Sequence, residues 1–210
     1  MPDSVLEITR ATCAVYDANS DLYGDISEEY GRFPGLLEEV VDFAERAPGG
    51  LPLLDLGCGS GRDGRFLASL GRRVVAGDYA PAMLVWARDR SLEEGDSLRF
   101  LRLNALELPF CEFSIAGVWA SGSLLHVPLA RMEQALREVY RVLVPGGITK
   151  ISMRSGEGEG WKSGGSLEGE RWFTFVSPEV FAEHLRSAGF ANVQTRFSGR
   201  PGWYVAFGVR

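Results

Sequence analysis

Apolar residues recur along this chain in two rhythms, one helical and one extended. Leu36 to Ala47 reads LLEEVVDFAERA, with Leu36, Leu37, Val40, Val41 and Ala44 at helical spacing. Pro48-Gly49-Gly50 stops that helix. LPLLDLG (51–57) is a short apolar run that predicts a strand buried on both faces. Gly61 to Leu70 predicts a short helix closed by Gly71. RRVVAGD (72–78) predicts a second strand, and Pro81 opens a helix that runs to about Leu92. SLRFLRLN (97–104) and SIAGVWAS (114–121) read as the third and fourth strands. Leu129 to Leu143 is the clearest helix, its apolar face carrying Met132, Leu136, Val139, Val142 and Leu143. Pro145-Gly146-Gly147 ends it before a fifth strand, ITKISM (148–153). A helix over Pro178 to Ala188 and two closing strands, ANVQTRF (191–197) and GWYVAFGVR (202–210), complete the pattern.

Two segments lie outside that rhythm. Residues 1–35 are polar, with Tyr16, Tyr23, Tyr30 and Phe33 interspersed, and read as a helical or irregular cap that ends at residue 47 with the first clear helix. RSGEGEGWKSGGSLEGE (154–170) is too rich in glycine and charge to pack, so a mobile loop over 154–176 is expected. The remainder divides into a ligand-binding core at 48–153 and a carboxyl-terminal helix and hairpin at 177–210. Strand–helix alternation followed by a hairpin predicts one α/β domain. Its sheet is doubly wound, mostly parallel and seven-stranded, with an antiparallel carboxyl-terminal hairpin and helices on both faces. Ligands of such sheets bind beyond the carboxyl ends of the strands, where strand order reverses.

Composition narrows the functional classes. The chain has 210 residues, 45% hydrophobic and 24% charged, which is enough for a core that needs no disulfide or metal staple. Its 22 Lys and Arg against 28 Asp and Glu give a net charge of −6. That balance argues against a broad phosphate-gripping surface, so nucleic acid is not an expected partner. Cys13, Cys58 and Cys111 form no CxxC and fit a reduced cytosol. MPDSVLEITR shows no signal-peptide pattern, and no apolar run approaches the ~18 residues of a membrane span. A cytoplasmic protein with no membrane partner is expected, and no spacing suggests a metal site.

The chemistry begins at LLDLGCGSGRDG, where Gly57, Gly59 and Gly61 follow a strand and precede a helix. Glycine tolerates the positive φ of so tight a turn and lets a ligand lie against the backbone. Two frames fit. Gly59-Ser-Gly61-Arg-Asp-Gly64, with Asp78 nineteen residues after Gly59, matches a dinucleotide fingerprint with its ribose-binding acid. The other frame is Asp55-x-Gly57-x-Gly59-x-Gly61. Charge separates them, because a pyrophosphate at the loop would be opposed by the Asp55 carboxylate. S-adenosylmethionine carries a cationic sulfonium and ammonium and no phosphate. For such a ligand Asp55 is an attraction of roughly 4 kcal/mol before desolvation, at an effective dielectric of ~20 and ~4 Å separation.

At this point the sequence resembles the class I S-adenosylmethionine-dependent methyltransferases of the small, single-domain bacterial type. The resemblance covers about residues 50–190 and rests on LLDLGCGSGRD (53–63), VVAGDYAPAML (74–84), LRLNALELPF (101–110), SGSLLHVP (121–128) and RVLVPGGITKISM (141–153). It implies a Rossmann-like fold, S-adenosylmethionine as cofactor and S-adenosylhomocysteine as product. It places the Gly57-Cys58-Gly59 turn under the methionine part, with Asp55 near its amino group and Gly61 and Arg62 closing the loop. Asp78 takes the ribose hydroxyls, Tyr79 and Met83 border the adenine, and Asn104, Ala105 and Leu106 face its edge. Ala120 and Ser121 lie beneath the methionine, and Tyr16 of the cap, with Tyr23, helps to close the pocket. Two positions depart from the family: Asn104 stands where an acid is usual, and Ala116 where an Asp commonly precedes Val-Trp. SLLHVP, RSGEGEGW and ERWFTFVSPEVF resemble a narrower bacterial subgroup, which implies no particular substrate.

Methyl transfer from a sulfonium is an in-line displacement, so the protein mainly aligns a nucleophile and excludes water. His126 is the candidate general base, its unperturbed pKa near 6.5 suiting the task, with a packed, loop-orienting histidine as the alternative. Glu157 and Glu159 are further catalytic candidates, against a solvated flexible segment; the glycines around them suit a lid. Arg154, Trp161, Arg171 and Trp172 flank that segment and are candidates to contact an acidic or aromatic substrate. His184 reads as surface or structural, and Cys58 as a space-filler. The expected activity is methyl transfer to a small molecule. Methylation of a protein side chain, a non-catalytic S-adenosylmethionine-binding protein and an NAD-dependent dehydrogenase are the rivals.

Overall fold

The structure, a computed structural model, describes residues 4–95 and 98–210. Seven strands form the main sheet: β1 (Leu53–Leu56), β2 (Val74–Asp78), β3 (Arg99–Arg102), β4 (Ile115–Ser121), β5 (Leu143–Arg154), β8 (Ala191–Phe197) and β9 (Trp203–Val209). Between β5 and β8 the chain inserts a separate pair, β6 (Gly158–Gly164) and β7 (Leu167–Phe175). The helices are α1 (Val5–Ala18), α2 (Ser20–Ser27), α3 (Leu36–Arg46), α4 (Arg62–Ser69), α5 (Pro81–Glu94), α6 (Leu129–Val142) and α7 (Pro178–Ser187). Sheet order is β3-β2-β1-β4-β5-β9-β8. The first five strands pair in parallel, and β9 runs antiparallel to both β5 and β8. The fold is therefore the expected doubly wound α/β sheet with a carboxyl-terminal hairpin. The chain steps outward from β1 to β3 and returns to β4, so strand order reverses between β1 and β4.

Strand periodicity explains how the sheet holds its two helical layers. Leu54 and Leu56 of β1, with Val118 and Ala120 of β4, face a core built on Met132, Leu136 and Val139 of α6 and Phe181 of α7. Leu53 and Trp119 face the opposite layer, against Val40 and Phe43 of α3 and Leu67 of α4. Asp55 shares the Leu53 face by the same alternation, so its carboxylate turns toward the start of α4 and not into the larger core.

Most boundaries fall within a few residues of the periodicity reading, and the strand expected from Ser97 begins at Arg99 among the described residues; Ser97 itself lies outside them. Residues 158–175 correct the sequence reading. They form an antiparallel hairpin, where a mobile loop over 154–176 was expected. Trp161 opposes Trp172 across it, their ring centroids 5.6 Å apart, the kind of cross-strand pair that stabilises an isolated ribbon. The hairpin docks on α1: the Trp172 N–H donates to Thr12 Oγ1 at 3.1 Å, and Asn19 Nδ2 donates to the Glu168 carbonyl at 3.1 Å. Helix α1 is itself fixed by a capping box between Ser4 and Glu7. Among the described residues no helix is long and apolar enough to cross a membrane.

Candidate active site

The glycine loop leaves β1 with left-handed backbone at Gly57 (φ 73°), Gly59 (φ 52°) and Gly61 (φ 75°). At Gly57 the need for glycine is twofold, since a Cβ there would lie 2.2 Å from Ser123 Cβ. Asp78, at the end of β2, ties this loop to the next. Its Oδ2 accepts the Gly59 N–H and its Oδ1 the Ala80 N–H, each at 2.9 Å. Burial raises the pKa of this carboxyl, and the backbone N–H groups oppose the rise. Each oxygen keeps a second lone pair, so the carboxylate can still accept from a vicinal diol.

Beyond the carboxyl ends of β1, β2 and β4 lies a narrow cleft of about 140 Å³. Gly57, Gly59, Asp78 and Ser121 form its floor; Tyr79, Met83, Asn104, Ala105 and Leu106 form its far wall. Helix α1 and its neighbour roof it with Thr12, Cys13, Tyr16 and Tyr23. A wider cavity of about 790 Å³ adjoins it along Tyr16, Tyr23, Gly57, Gly59, Ser121 and His126, and adds Asp55, Cys58 and Arg62. Of the residues read in the sequence as cofactor-binding, Gly61 and Ala120 line neither space. Gly61 packs toward Ala87 beneath the loop, and Ala120 is fully buried among core residues. The Asn104 side-chain oxygen closes a local turn by accepting the Leu106 N–H at 3.0 Å.

Asp55 is 2% exposed, and its Oδ2 has no hydrogen-bond partner among the described residues. Burial, with Asp63 and Asp78 nearby, drives its pKa well up, while Arg62 pulls the other way. A buried carboxylate oxygen without a donor costs free energy, which a cationic ligand offsets. The site therefore suits a ligand that carries a diol at one end and an ammonium at the other, which Asp78 and Asp55 could hold respectively. It suits a pyrophosphate poorly, because both acids flank the glycine loop.

Where the two spaces meet, three side chains from separate elements join. His126 Nδ1 lies 2.5 Å from the Trp172 carbonyl, so that nitrogen carries the proton and Nε2 is left as an acceptor. The Tyr16 hydroxyl donates to Nε2 at 2.8 Å and accepts from Arg171 Nη1 at 3.3 Å. The only ring nitrogen able to take a proton is thus already engaged by Tyr16. Burial holds the His126 pKa down to about 4, against the hydrogen bond to Trp172 that raises it. Because the folded value lies below the unfolded value of 6.5, the unfolded chain binds more protons between them. Stability therefore falls as pH drops from 6.5 to about 4, by up to about 3 kcal/mol. Urea midpoints of the wild type and His126→Gln across that range are expected to converge as pH falls; a constant separation would contradict a buried neutral imidazole.

Glu157 and Glu159, the two catalytic candidates of the glycine-rich segment, line neither cavity. Glu157 is exposed. Glu159 Oε2 accepts the Leu129 N–H at 2.6 Å and the Thr174 hydroxyl at 3.1 Å, so it caps α6 and fastens the hairpin to it. Burial raises the Cys58 thiol pKa well above its usual value, and Cys13 in the cleft roof is pushed up to about 12, so neither is a thiolate at neutral pH. His184 lies on α7 and lines neither space. Of the four residues that flank the glycine-rich segment as candidate substrate contacts, Arg154 and Arg171 line the wider cavity and Trp161 and Trp172 line neither space; the burial of Arg171 beside Tyr16 depends on the β6–β7 hairpin.

Fold and site together define a doubly wound α/β protein with a nucleoside-type cleft at its switch point. Residues 53–147 match a family model described as a methyltransferase domain. Over 143 residues the chain is 36% identical to a 2-phytyl-1,4-naphtoquinone methyltransferase of Thermosynechococcus vestitus, covering 66% of this chain and 62% of that relative. The chain spans less than two thirds of the length of such curated relatives. Among solved structures, the [4+2]-cyclase SpnF superposes with TM-score 0.75 at 19% identity, over 99% of this chain and 96% of that one, a likeness of fold. The 1,6-didemethyltoxoflavin-N1-methyltransferase of Burkholderia thailandensis superposes with TM-score 0.71 at 25% identity, over 99% of this chain and 92% of that one. The matched stretch, residues 53–147, is a methyltransferase domain by that model, and it holds the glycine loop, Asp55, Asp78 and Asn104 on which the resemblance to the class I S-adenosylmethionine-dependent methyltransferases rests.

Proposed function

We propose that this protein is a methyltransferase that moves a methyl group from S-adenosylmethionine to a small-molecule nucleophile by in-line displacement. The observation that carries this reading is the junction of the two cavities. The Asp78 cleft and the wider cavity share Tyr16, Gly57, Ser121 and His126, so a donor in one presents its reactive end to an acceptor in the other. Bound S-adenosylmethionine supplies an activated methyl group. The chain's own residues bind, orient and exclude water. Asp78 holds the ribose diol, Asp55 the ammonium, and Tyr79 and Met83 flank the base. Tyr16 and Tyr23 roof the junction, and entry of a nucleoside into so narrow a cleft requires that roof to lift. His126 acts through Tyr16, fixing the phenol where it meets the acceptor; it is a positioning residue and not a free base.

Several features support a small acceptor. The curated relative named above methylates a quinone by its name, and the solved Burkholderia enzyme holds a small heterocycle beside S-adenosylhomocysteine by its title. The acidic balance disfavours nucleic acid, and we place the enzyme in the cytoplasm. A second reading comes from SpnF, described as a cyclase, since that fold serves a reaction other than methyl transfer there.

Calorimetry with S-adenosylhomocysteine and NAD tests the donor site. S-adenosylhomocysteine is expected to bind and NAD not to, and Asp78→Ala is expected to weaken the former roughly 10- to 100-fold, as charged hydrogen bonds to a diol are lost. Unchanged affinity in that variant would place the donor elsewhere. Transfer of labelled methyl to a panel of amines, thiols, phenols and acids then separates transferase from cyclase or sensor; binding without any transfer would favour the latter.

A further inference from the structure

The wider cavity is lined by more positive charge than its acids can use. Arg62 is bound to Asp63 at 2.8 Å, Arg200 to Glu39 at 3.0 Å, and Arg32 reaches Glu29 at 3.6 Å. Arg154, Lys162 and Arg171 also line it and have no carboxylate partner among the described residues. Arg171 is the exceptional one. It is 8% exposed, its Nη1 and Nη2 are spent on the Tyr16 hydroxyl and the Gly164 carbonyl, and its Nε has no partner. Its guanidinium lies 5.2 Å from the Phe173 ring centroid and 5.5 Å from that of Tyr16, at the junction with the donor cleft. A buried guanidinium with an idle N–H and no counter-ion is costly in an empty site and well suited to an anion that arrives with a ligand. The rest of the wall is aromatic: Phe173, Phe175 and Trp203, with Arg154 over the Trp203 ring at 5.7 Å.

From this juxtaposition we infer that the acceptor is a small aromatic or conjugated carboxylic acid. Its carboxylate seats on Arg171, its ring lies against Phe173, Phe175 and Trp203, and Arg154 adds a second positive charge at the mouth. One buried cation without a counter-ion matches a monoanion; a phosphate dianion would need a second buried cation, and Arg200 is committed to Glu39. The two acids of the lining do not oppose it. Asp63 is filled by Tyr30, Arg62 and Trp119, and Asp55 faces the donor's ammonium. The inference rests on the methyltransferase reading only in naming the cavity's occupant an acceptor.

The test is calorimetric titration of the whole protein, with and without saturating S-adenosylhomocysteine, using benzoate and 1-naphthoate against their primary amides. The acids are expected to bind at least tenfold more tightly than the amides. Arg171→Gln is expected to erase that preference. Equal binding of acid and amide, or a preference untouched by Arg171→Gln, overturns the proposal. Should that variant fail to fold, Arg154→Gln, which alters an exposed side chain, decides: a two- to fivefold loss in acid binding alone supports the proposal, and no loss overturns it. If S-adenosylhomocysteine does not bind, the donor reading falls, while the acid-to-amide ratio measured without it still decides this one.

Discussion

Gly57→Ala is expected to abolish S-adenosylhomocysteine binding and to destabilise the protein by about 3–6 kcal/mol. Three costs combine. An L-residue held at φ 73° gives up about 1–2 kcal/mol. A Cβ 2.2 Å from Ser123 Cβ forces the chain after β4 to shift, an overpacking cost of about 1–3 kcal/mol. The displaced Ser123 also loses the bond that its hydroxyl donates to the Leu56 carbonyl at 2.6 Å, worth about 1 kcal/mol. Gly71→Ala is the matched control. Its φ is 77°, yet nothing lies within 4 Å of the added Cβ, so it bears the backbone strain alone. Urea denaturation and calorimetry on both variants check this. If the two melt alike and both bind the ligand, the close approach of the glycine loop to Ser123 has no energetic consequence.

The contrast between those glycines also shows why some of the molecule was legible in its sequence. Gly57, Gly59 and Gly61 alternate directly after an apolar run, and the run's short length and that glycine punctuation mark strand, turn and helix together. The main sheet followed from the same logic, since strands buried on both faces leave continuous apolar runs such as SIAGVWAS. The β6–β7 hairpin left no such trace. It is covered on one side only, and its strand residues alternate with glycine and charge, so composition spoke for a loop. Its place is set by distant partners: Thr12 of α1 accepts the Trp172 N–H, and the Phe173 ring packs on His126 at 4.8 Å. Pairing at long range overrode local propensity there.

The site divides in the same way. The residues whose role is local could be read, Asp78 at a strand end and the glycines in a tight turn. The Tyr16–His126–Arg171 cluster could not, because it joins helix α1, the loop after β4 and strand β7, and no spacing links them. Glu159 follows the same logic: a carboxylate among glycines reads as free until α6 offers it an unsatisfied N–H. Arg171 lay among the residues flanking the presumed loop, and the hairpin turned it from a flank into part of the cavity wall.

Asp63→Ala is expected to cost about 3–5 kcal/mol. The carboxylate is 5% exposed and is the shared acceptor for three donors from different parts of the fold. Trp119 Nε1 of β4 donates to Oδ2 at 2.9 Å, while the Tyr30 hydroxyl and Arg62 Nε donate to Oδ1 at 2.8 Å each. Removing it strands a fully buried indole N–H and leaves a largely buried guanidinium without its counter-ion, the situation in which breaking a buried pair is most costly. It also frees the amino-terminal cap, since Tyr30 and Arg62, which stacks over the Tyr30 and Phe33 rings, are its tether to the glycine loop. Glu133→Ala, which removes an exposed partner of Arg137 on α6, is expected to cost no more than about 1 kcal/mol and calibrates the comparison. Urea denaturation measures both, and a loss below about 1 kcal/mol for Asp63→Ala would mean that the cap is held by other contacts. The ligand site should respond in the opposite sense. Asp63 raises the pKa of Asp55, and Arg62 lowers it. Removing the Asp63 charge relieves one and releases the other, so Asp55 stays ionised to lower pH and holds a cationic ligand more firmly there. A variant that is less stable yet keeps S-adenosylhomocysteine at acidic pH better than the wild type is the signature expected of two carboxylates that share one buried neighbourhood with different tasks.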